Sequence, residues 1–263
     1  MKIGITQLLL GNMSLDDVLD LCLDAGYEAI ELTFGEGKEL DIDMSPSEMA
    51  GVGEKCTMAG VDISSIIANY GDSGNLLSLD ANQREKGIRS VNRSLEIAGI
   101  LGVDTILLHP GQLTVEGTYQ EVWDNLLDIL ENLSPVAALN RAAIGLENVW
   151  NKFLLSPKET REFIDAVNSE WVGVYLDTAN MMAYGYPEHW IRELGSRIKC
   201  VHFKDFRRGE HQFVNLLDGD TDWPCVMREL RAIGYDQYVI HEVGGDRAAQ
   251  IDIAKRMRRI VDM

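Results

Sequence analysis

The chain has 263 residues, of which 42 are acidic and 24 are Lys or Arg, so its formal net charge is −18. Its 46% hydrophobic and 25% charged residues are typical of a globular protein, and the chain is long enough to bury a large core. The negative charge argues against a nucleic-acid partner or an anionic membrane surface, because like charges repel. It leaves room for a small anionic substrate held by a few local cations.

Cysteine usage and the N-terminus indicate where the protein resides. Cys22, Cys56, Cys200 and Cys225 are widely spaced and form no CxxC motif, so we expect reduced thiols. The N-terminal apolar run is short and lacks a small-residue cleavage site, which favours a first strand over a signal peptide. No apolar run approaches the ~20 residues that cross a bilayer. We therefore expect a cytoplasmic protein with no membrane partner.

Short β-branched runs alternate with longer segments of helical periodicity along the whole chain. The predicted strands are residues 2–6, 28–32, 61–67, 103–108, 143–147, 172–176, 198–203 and 237–243. The predicted helices are 14–25, one opening at Ser45-Pro46, 83–100, 118–140, two opening at Ser156-Pro157 and at Pro187, 222–233 and 247–261.

Eight strand–helix units in a chain of this size predict an α/β fold, a single (β/α)8 TIM barrel over residues 1–263. A doubly wound open sheet is the alternative, but no GxGxxG follows the first strand. No linker, low-complexity segment or change in composition divides the chain. Glycines stand between several helices and the next strand, where a left-handed helix end is expected; these are Gly26, Gly60, Gly102 and Gly234.

Polar side chains stand at the ends of most predicted strands, where a (β/α)8 barrel places its reactive groups. They are Glu31, His109, Glu147, Asp177, His202, His241 and Glu242. His241 alternates with Glu242, so we expect it to face the helices. Glu147, Asp177 and Glu242 packed together would repel one another, and a divalent cation would resolve that repulsion. With His202 they favour Mn²⁺ first or Mg²⁺, with Co²⁺ and Zn²⁺ as alternatives.

Four segments carry a family resemblance: GLENVWNKF, VYLDTANMMAYGYP, RIKCVHFKDFR and HEVGG. They resemble the ligand-bearing strand ends of the xylose isomerase-like TIM-barrel proteins, the sugar phosphate isomerases and epimerases. The resemblance covers nearly the whole chain and is strongest over residues 143–243. It implies that the metal ligands are Glu147, Asp177, His202 and Glu242. It also implies that Arg208, six residues after the ligand His, lies near the metal and substrate as in ketose 3-epimerases.

Such a site implies a reaction on a sugar or sugar phosphate. A metal bound to the carbonyl and hydroxyl oxygens of a ketose acidifies the C–H between them and stabilises an enediolate. Glu147 and Glu242 come from strands on opposite sides of the mouth, so one can remove a proton and the other return one from the opposite face. That is epimerisation. Proton return to the adjacent carbon is aldose–ketose isomerisation.

Two positions depart from the ketose 3-epimerases that the chain resembles. Asn180 stands where they have a His, and Phe153 stands where they have a Glu; both family residues help to hold and ionise the substrate. Asn180 can still bind a substrate hydroxyl but cannot titrate. The Asp-x-x-Asn pattern is more similar to the L-xylulose and hexulose phosphate 3-epimerases.

Further candidates lie near the predicted mouth. Lys204, Arg207 and Arg208 form a cationic cluster that either anchors a substrate phosphate or carboxylate, or pairs with Asp205 and neighbouring acids. Trp150 either stacks on a sugar or packs internally. We expect His109 to contact substrate.

Glu31 is expected to contact substrate or to orient His109. The same barrel also resembles inosose dehydratases and enzymes that eliminate an aglycone from 3-keto-sugars, so a lyase is the main alternative. An apurinic endonuclease-like hydrolase is disfavoured, because the expected Asp-x-His is missing from NLLDGDTDWP. A non-catalytic sugar-binding barrel is disfavoured because the whole ligand set is present, and a homo-oligomer is an open alternative to a monomer.

Overall fold

The computed structural model describes residues 1–68 and 73–263. Eight parallel strands close into a barrel in which each strand pairs with its sequence neighbours and the last returns to the first. The barrel strands are β1 (Lys2–Thr6), β2 (Ala29–Phe34), β3 (Asp62–Ala68), β4 (Thr105–Leu108), β5 (Ala143–Glu147), β6 (Val172–Asp177), β7 (Ile198–Phe203) and β10 (Tyr238–His241). The helices are α1 (Leu15–Ala25), α2 (Pro46–Ala59), α3 (Ala81–Leu101), α4 (Tyr119–Asn140), α5 (Pro157–Val167), α6 (Pro187–Leu194), α7 (Trp223–Ala232) and α8 (Arg247–Val261). The predicted (β/α)8 barrel is confirmed.

The helices begin where the sequence places hydrogen-bonding caps. The Ser45 hydroxyl accepts from the backbone of Glu48, whose carboxylate accepts in return, and Pro46 occupies the first turn of α2. Gly26 and Gly60 end α1 and α2 with φ of 79° and 70°, a conformation that a side chain disfavours.

Some strand boundaries differ from the prediction. β2 extends to Phe34, because its pairing with β3 continues beyond residue 32. β4 begins at Thr105 rather than at residue 103, because Val103 N–H still donates to Ala98 O at the end of α3.

A short antiparallel hairpin after β7 was not predicted. It consists of β8 (Asp205–Arg207) and β9 (Gln212–Val214), with Phe206 opposite Phe213. Three-residue strands are too short for periodicity to reveal.

The main hydrophobic core lies between the barrel and the helices. Inside the barrel, Thr6 pairs in register with Glu31, and Glu31 with Ser65, which creates a polar layer below the mouth. All four cysteines are free thiols, and Cys225 is the least buried. Within the described ranges, the helices lack the combination of length and apolar character that a membrane crossing requires.

Candidate metal centre

The strand ends bring the four predicted ligands together. Glu147 ends β5, Asp177 ends β6, His202 lies on β7 and Glu242 directly follows β10. One potential ligand atom from each residue lies within 4.8 Å of those of the other three. Ligand atoms lie about 2.0–2.2 Å from an ion such as Zn²⁺, so opposite ligands are about 4 Å apart. Small side-chain shifts therefore suffice for all four to hold one ion.

His202 presents its Nδ1 atom to this cluster. Nδ1 lies 3.6 Å from Glu147 Oε1 and 3.9 Å from Glu242 Oε2. Its Nε2 lies 3.3 Å from the carboxylate of Glu31 on the other side of the ring. Burial acts to lower the pKa of His202, but Glu31 and Glu147 outweigh burial and hold that pKa well above its usual value. A proton on Nε2, donated to Glu31, leaves the Nδ1 lone pair for a metal.

Asp177 is held rigidly at the end of β6. Its Oδ1 accepts from the backbone N–H groups of Ala179 and Asn180, each at 2.7 Å. The backbone of Asp177 forms two hydrogen bonds with the Asn148 side chain. Asn148 Oδ1 accepts from Asp177 N–H, and Asn148 Nδ2 donates to Asp177 O. Asp177 Oδ2 thereby faces the cluster.

Three buried atoms of the cluster form no hydrogen bond to any described residue: Asp177 Oδ2, His202 Nδ1 and Glu242 Oε2. Leaving buried polar atoms without a hydrogen bond is costly, and a cation at this point would satisfy all three. Burial is also the main reason that the pKa of Glu147 is raised to about 7, against the opposing effect of His202. The donor set therefore fits a divalent metal.

Lys204 is the only member of the cationic cluster that reaches these carboxylates. Its ammonium lies 3.4 Å from Asp177 Oδ2 and also forms an ion pair with Glu242. Burial acts to lower its pKa, but the charges of Asp177 and Glu242 outweigh burial and raise that pKa. Arg207 pairs instead with Glu210.

Arg208 binds the segment that follows β6. Its guanidinium donates to Met182 O at 2.5 Å and to Gly185 O at 2.7 Å, and it lies 4.5 Å from the ring centroid of Tyr186. A substrate anion at Arg208 would have to displace these carbonyl contacts. No ion pair joins Arg208 to Asp205 among the described residues.

Asp205 holds the β8–β9 hairpin in place. Its buried carboxylate accepts six hydrogen bonds, from four backbone N–H groups, the Thr221 hydroxyl and the Trp223 indole. The hairpin then carries Phe213 onto Trp150, with ring centroids 5.1 Å apart and an interplanar angle of 29°. Trp150 also donates its indole N–H to Asn180 O. Trp150 is therefore partly packed, although 39% of it stays exposed.

The structure corrects the expectation for Glu31. Its carboxylate is fully buried and accepts hydrogen bonds from Thr6, Ser65 and Tyr175, and it contacts His202 rather than His109. Glu31 therefore contacts the His202 ring from below, and its carboxylate is not exposed at the mouth. Burial acts to raise its pKa, but the charge and hydrogen bond of His202 outweigh burial and lower that pKa to about 2.

The structure also shows the surroundings of three further predicted residues, His109, His241 and Asn180. His109 is exposed, and its Nδ1 accepts a hydrogen bond from Gly111 N–H. His241 faces the helices, as expected, and its Nε2 lies 2.9 Å from the Tyr27 hydroxyl. Asn180 donates from Nδ2 to Asn148 O, so its amide is engaged with protein.

The sequence reasoning missed Asn148 and the polar layer below the mouth. The available signal for Asn148 was its position directly after Glu147, in the same strand-end segment. For Glu31, the signal was the matching small polar residues on the flanking strands, Thr6 and Ser65.

A second group in the described part of the chain could offer metal ligands: Glu188, Asp222 and Cys225. Arg228 Nη2 lies 2.7 Å from Cys225 Sγ, and Arg192 Nη2 lies 3.8 Å from it. These guanidinium charges disfavour a cation there.

Comparison with known proteins places the fold in a family. A family model described as a xylose isomerase-like TIM barrel matches residues 19–261. The Haemophilus influenzae protein named "Putative L-ribulose-5-phosphate 3-epimerase SgbU" is 24% identical over 244 residues, covering 89% of this chain and 85% of its own. A D-tagatose 3-epimerase-like protein has a TM-score of 0.82 at 23% identity, covering 100% of this chain and 98% of its own.

A further solved structure, the IOLI protein with a bound zinc atom, has a TM-score of 0.84 at 22% identity and covers 100% of this chain and 98% of its own. At such identities the structural likeness concerns the fold, whereas the family model spans most of the chain. The chain belongs to the xylose isomerase-like TIM barrel family.

Proposed function

We propose that this chain is a divalent-metal-dependent isomerase or epimerase of a sugar or sugar phosphate, acting at the carbon next to a carbonyl. The observation that carries the proposal is the placement of two carboxylates, Glu147 and Glu242, beside His202 Nδ1 at 3.6 and 3.9 Å. The named 3-epimerase relative and the zinc-bound structure support the same chemistry.

The metal is held by Glu147, Asp177, His202 and Glu242, and when bound it supplies Lewis-acid polarisation of the substrate oxygens. Three oxygen donors favour Mn²⁺, with Mg²⁺, Co²⁺ and Zn²⁺ as alternatives. We propose a cytoplasmic setting, in keeping with free buried cysteines, and a small-molecule substrate rather than nucleic acid, in keeping with the charge of −18.

The residues of the chain carry the proton transfers. Glu147, with 9% of its side chain exposed, removes a proton from the substrate carbon, and Glu242 returns one from the opposite face. The ammonium of Lys204 contacts the carboxylates of both Glu242 and Asp177 and so offsets part of their negative charge. Return of the proton to the adjacent carbon gives isomerisation on the same groups.

Deuterium incorporation from D₂O tests this reaction. The Mn²⁺-loaded protein is incubated with ketoses, ketose phosphates and 3-keto-glycosides, and products are analysed by NMR and mass spectrometry. We expect metal-dependent exchange of a carbon-bound hydrogen for deuterium in one substrate class. The product of that reaction should retain every hydroxyl group of the substrate. Glu147→Gln is expected to reduce exchange about 10²–10⁴-fold, whereas Glu188→Gln, outside the site, leaves exchange unchanged.

Two results would contradict this assignment. Absence of metal-dependent deuterium exchange across the whole panel of substrates would contradict the proposed proton abstraction. Loss of water or of an aglycone from the product would identify a lyase on the same scaffold.

A further inference from the structure

A separate cavity lies between the β5–α5 loop and residues 180–190. Its volume is about 330 Å³, within the size range of small-molecule sites. Aromatic and aliphatic side chains form most of its wall, among them Trp150, Leu154, Leu155, Tyr184, Tyr186 and Trp190. It shares Asn148 and Asn180 with the supports of Asp177 but contains none of the four metal ligands.

The lining has a distinct electrostatic character. The described residues that line the cavity include His189 but no Asp, Glu, Lys or Arg, although the chain carries a charge of −18. Arg208 lies against Tyr186, but its guanidinium is turned to the carbonyls of Met182 and Gly185. A charged ligand would lose its hydration and find only the His189 imidazole among the lining residues as a potential charged partner, so the cavity favours a neutral ligand.

The walls of the cavity are preorganised. The Trp150 indole is fixed by its hydrogen bond to Asn180 O and by stacking against Phe213. Leu154 holds a left-handed conformation, φ 52°, and donates its N–H to the Tyr119 hydroxyl. Such a conformation in a non-glycine residue is costly and is found preferentially at ligand sites.

The rim leaves aromatic surface uncovered. Tyr184 is 72% exposed and Tyr186 55% exposed, and both line the cavity. Contiguous exposed apolar surface of this kind marks binding sites more often than ordinary solvent-facing surface. Aromatic rings favour a flat partner, because stacked and edge-on ring contacts add to simple burial.

We propose that this cavity binds the apolar ring of a neutral small molecule, at a site distinct from the metal centre. The ring lies between Trp150 and the wall formed by Leu154 and Leu155, and Tyr184 and Tyr186 cover its outer face. Binding here requires neither a metal nor the proposed sugar chemistry.

Calorimetric titration with phenol, and with benzoate as a charged probe of the same ring, tests the proposal. We expect one saturable phenol site per chain, with binding of benzoate weaker by about tenfold or more. EDTA-treated protein is expected to bind phenol equally well, which separates this site from the metal centre and from the fate of the proposed function.

Gly185→Leu fills the cavity and is the main variant. A Cβ at Gly185 would meet Met181 O at 3.6 Å and Trp190 Nε1 at 3.8 Å, which are ordinary contacts, so the fold should tolerate it. We expect phenol affinity to fall about tenfold or more. Leu155→Asp places a charge in the wall and should have the same effect. Leu139→Asp is the matched control, because Leu139 is 83% exposed and lies outside the cavity.

Far-UV circular dichroism and thermal melts verify that each variant is folded. Absence of saturable phenol binding to the wild-type protein would overturn the proposal. Phenol binding that survives Gly185→Leu in a folded variant would overturn it equally.

Discussion

In the proposed metal centre, Glu31 determines which ring nitrogen of His202 is free to bind the ion. A carboxylate can only accept from Nε2–H, whereas a glutamine amide can donate to Nε2 and so shift the proton to Nδ1. We expect Glu31→Gln to weaken Mn²⁺ affinity about 10–100-fold, as measured by calorimetry. Glu28→Gln is the control, since Glu28 lies 40% exposed just before the same strand. Equal Mn²⁺ affinity in the wild type and Glu31→Gln would show that the tautomer does not matter.

Glu147 couples the stability of the metal-free protein to pH. Burial raises its folded pKa to about 7 from a reference of 4.5, so the folded state binds the extra proton between these values. Stability of the metal-free protein therefore falls as pH rises from about 4.5 to 7, and the penalty is complete above pH 7.

Glu147→Gln removes this penalty. In EDTA-treated protein, we expect the variant to be more stable than wild type at pH 8, on the order of 3 kcal/mol, and to differ little at pH 4.5. Urea unfolding at both pH values measures the difference. A stability gain equal at both pH values would exclude titration of Glu147 as its cause.

The Arg208 guanidinium holds the segment that follows β6 in place by hydrogen bonds to its backbone. Because its guanidinium donates to Met182 O and Gly185 O, we expect Arg208→Ala to alter KM similarly for neutral and phosphorylated sugars. Steady-state kinetics on matched pairs of substrates measure this. A KM increase confined to phosphorylated substrates would establish the anchoring role that the sequence suggested.

At the scale of elements, the β8–β9 hairpin depends on Asp205. Removal of its carboxylate leaves buried donors unpaired, so Asp205→Ala should destabilise the protein by about 2–4 kcal/mol. Gly219→Ala should act in the same direction, because a Cβ there would lie 2.1 Å from Asp205 Oδ1. Urea unfolding and limited proteolysis between residues 206 and 221 report both effects. The control is Glu210→Ala, because Glu210 forms only an exposed ion pair with Arg207 among its described salt bridges. Equal protease sensitivity in all three variants would contradict the role of Asp205.

The order of strands and helices along the chain determines which parts of the fold and the site can be predicted from the sequence. The barrel follows from the alternation of strands and helices, and the four clustered residues follow from the polar ends of β5, β6, β7 and β10. Alternation tells which side of a strand a residue occupies but not its depth, so Glu31 was expected in the mouth although it lies below His202. The direction of Lys204 depends on the hairpin that follows it, and hairpin strands of three residues leave no periodic pattern.

At the scale of the whole molecule, the eight outer helices carry 19 acidic residues against 15 Lys or Arg, so most of the net charge of −18 lies in the loops and strands. The buried carboxylates at the mouth repel one another, and among the described residues Lys204 and His202 are the side chains that form ion pairs with them. A divalent ion adds positive charge where Asp177 Oδ2, His202 Nδ1 and Glu242 Oε2 lack a hydrogen bond to any described residue, so metal should bind the folded state and raise its stability.

Metal content per chain tests the metal centre most directly. The protein is saturated with Mn²⁺, Mg²⁺, Co²⁺ or Zn²⁺ in turn, freed of excess ion, and analysed by mass spectrometry of the elements. We predict one tightly bound ion per chain for at least one of these metals in the wild type and in Glu188→Gln, and almost none in Asp177→Asn. A full complement of metal in folded Asp177→Asn, or none in the wild type with any of the four ions, would contradict the assignment.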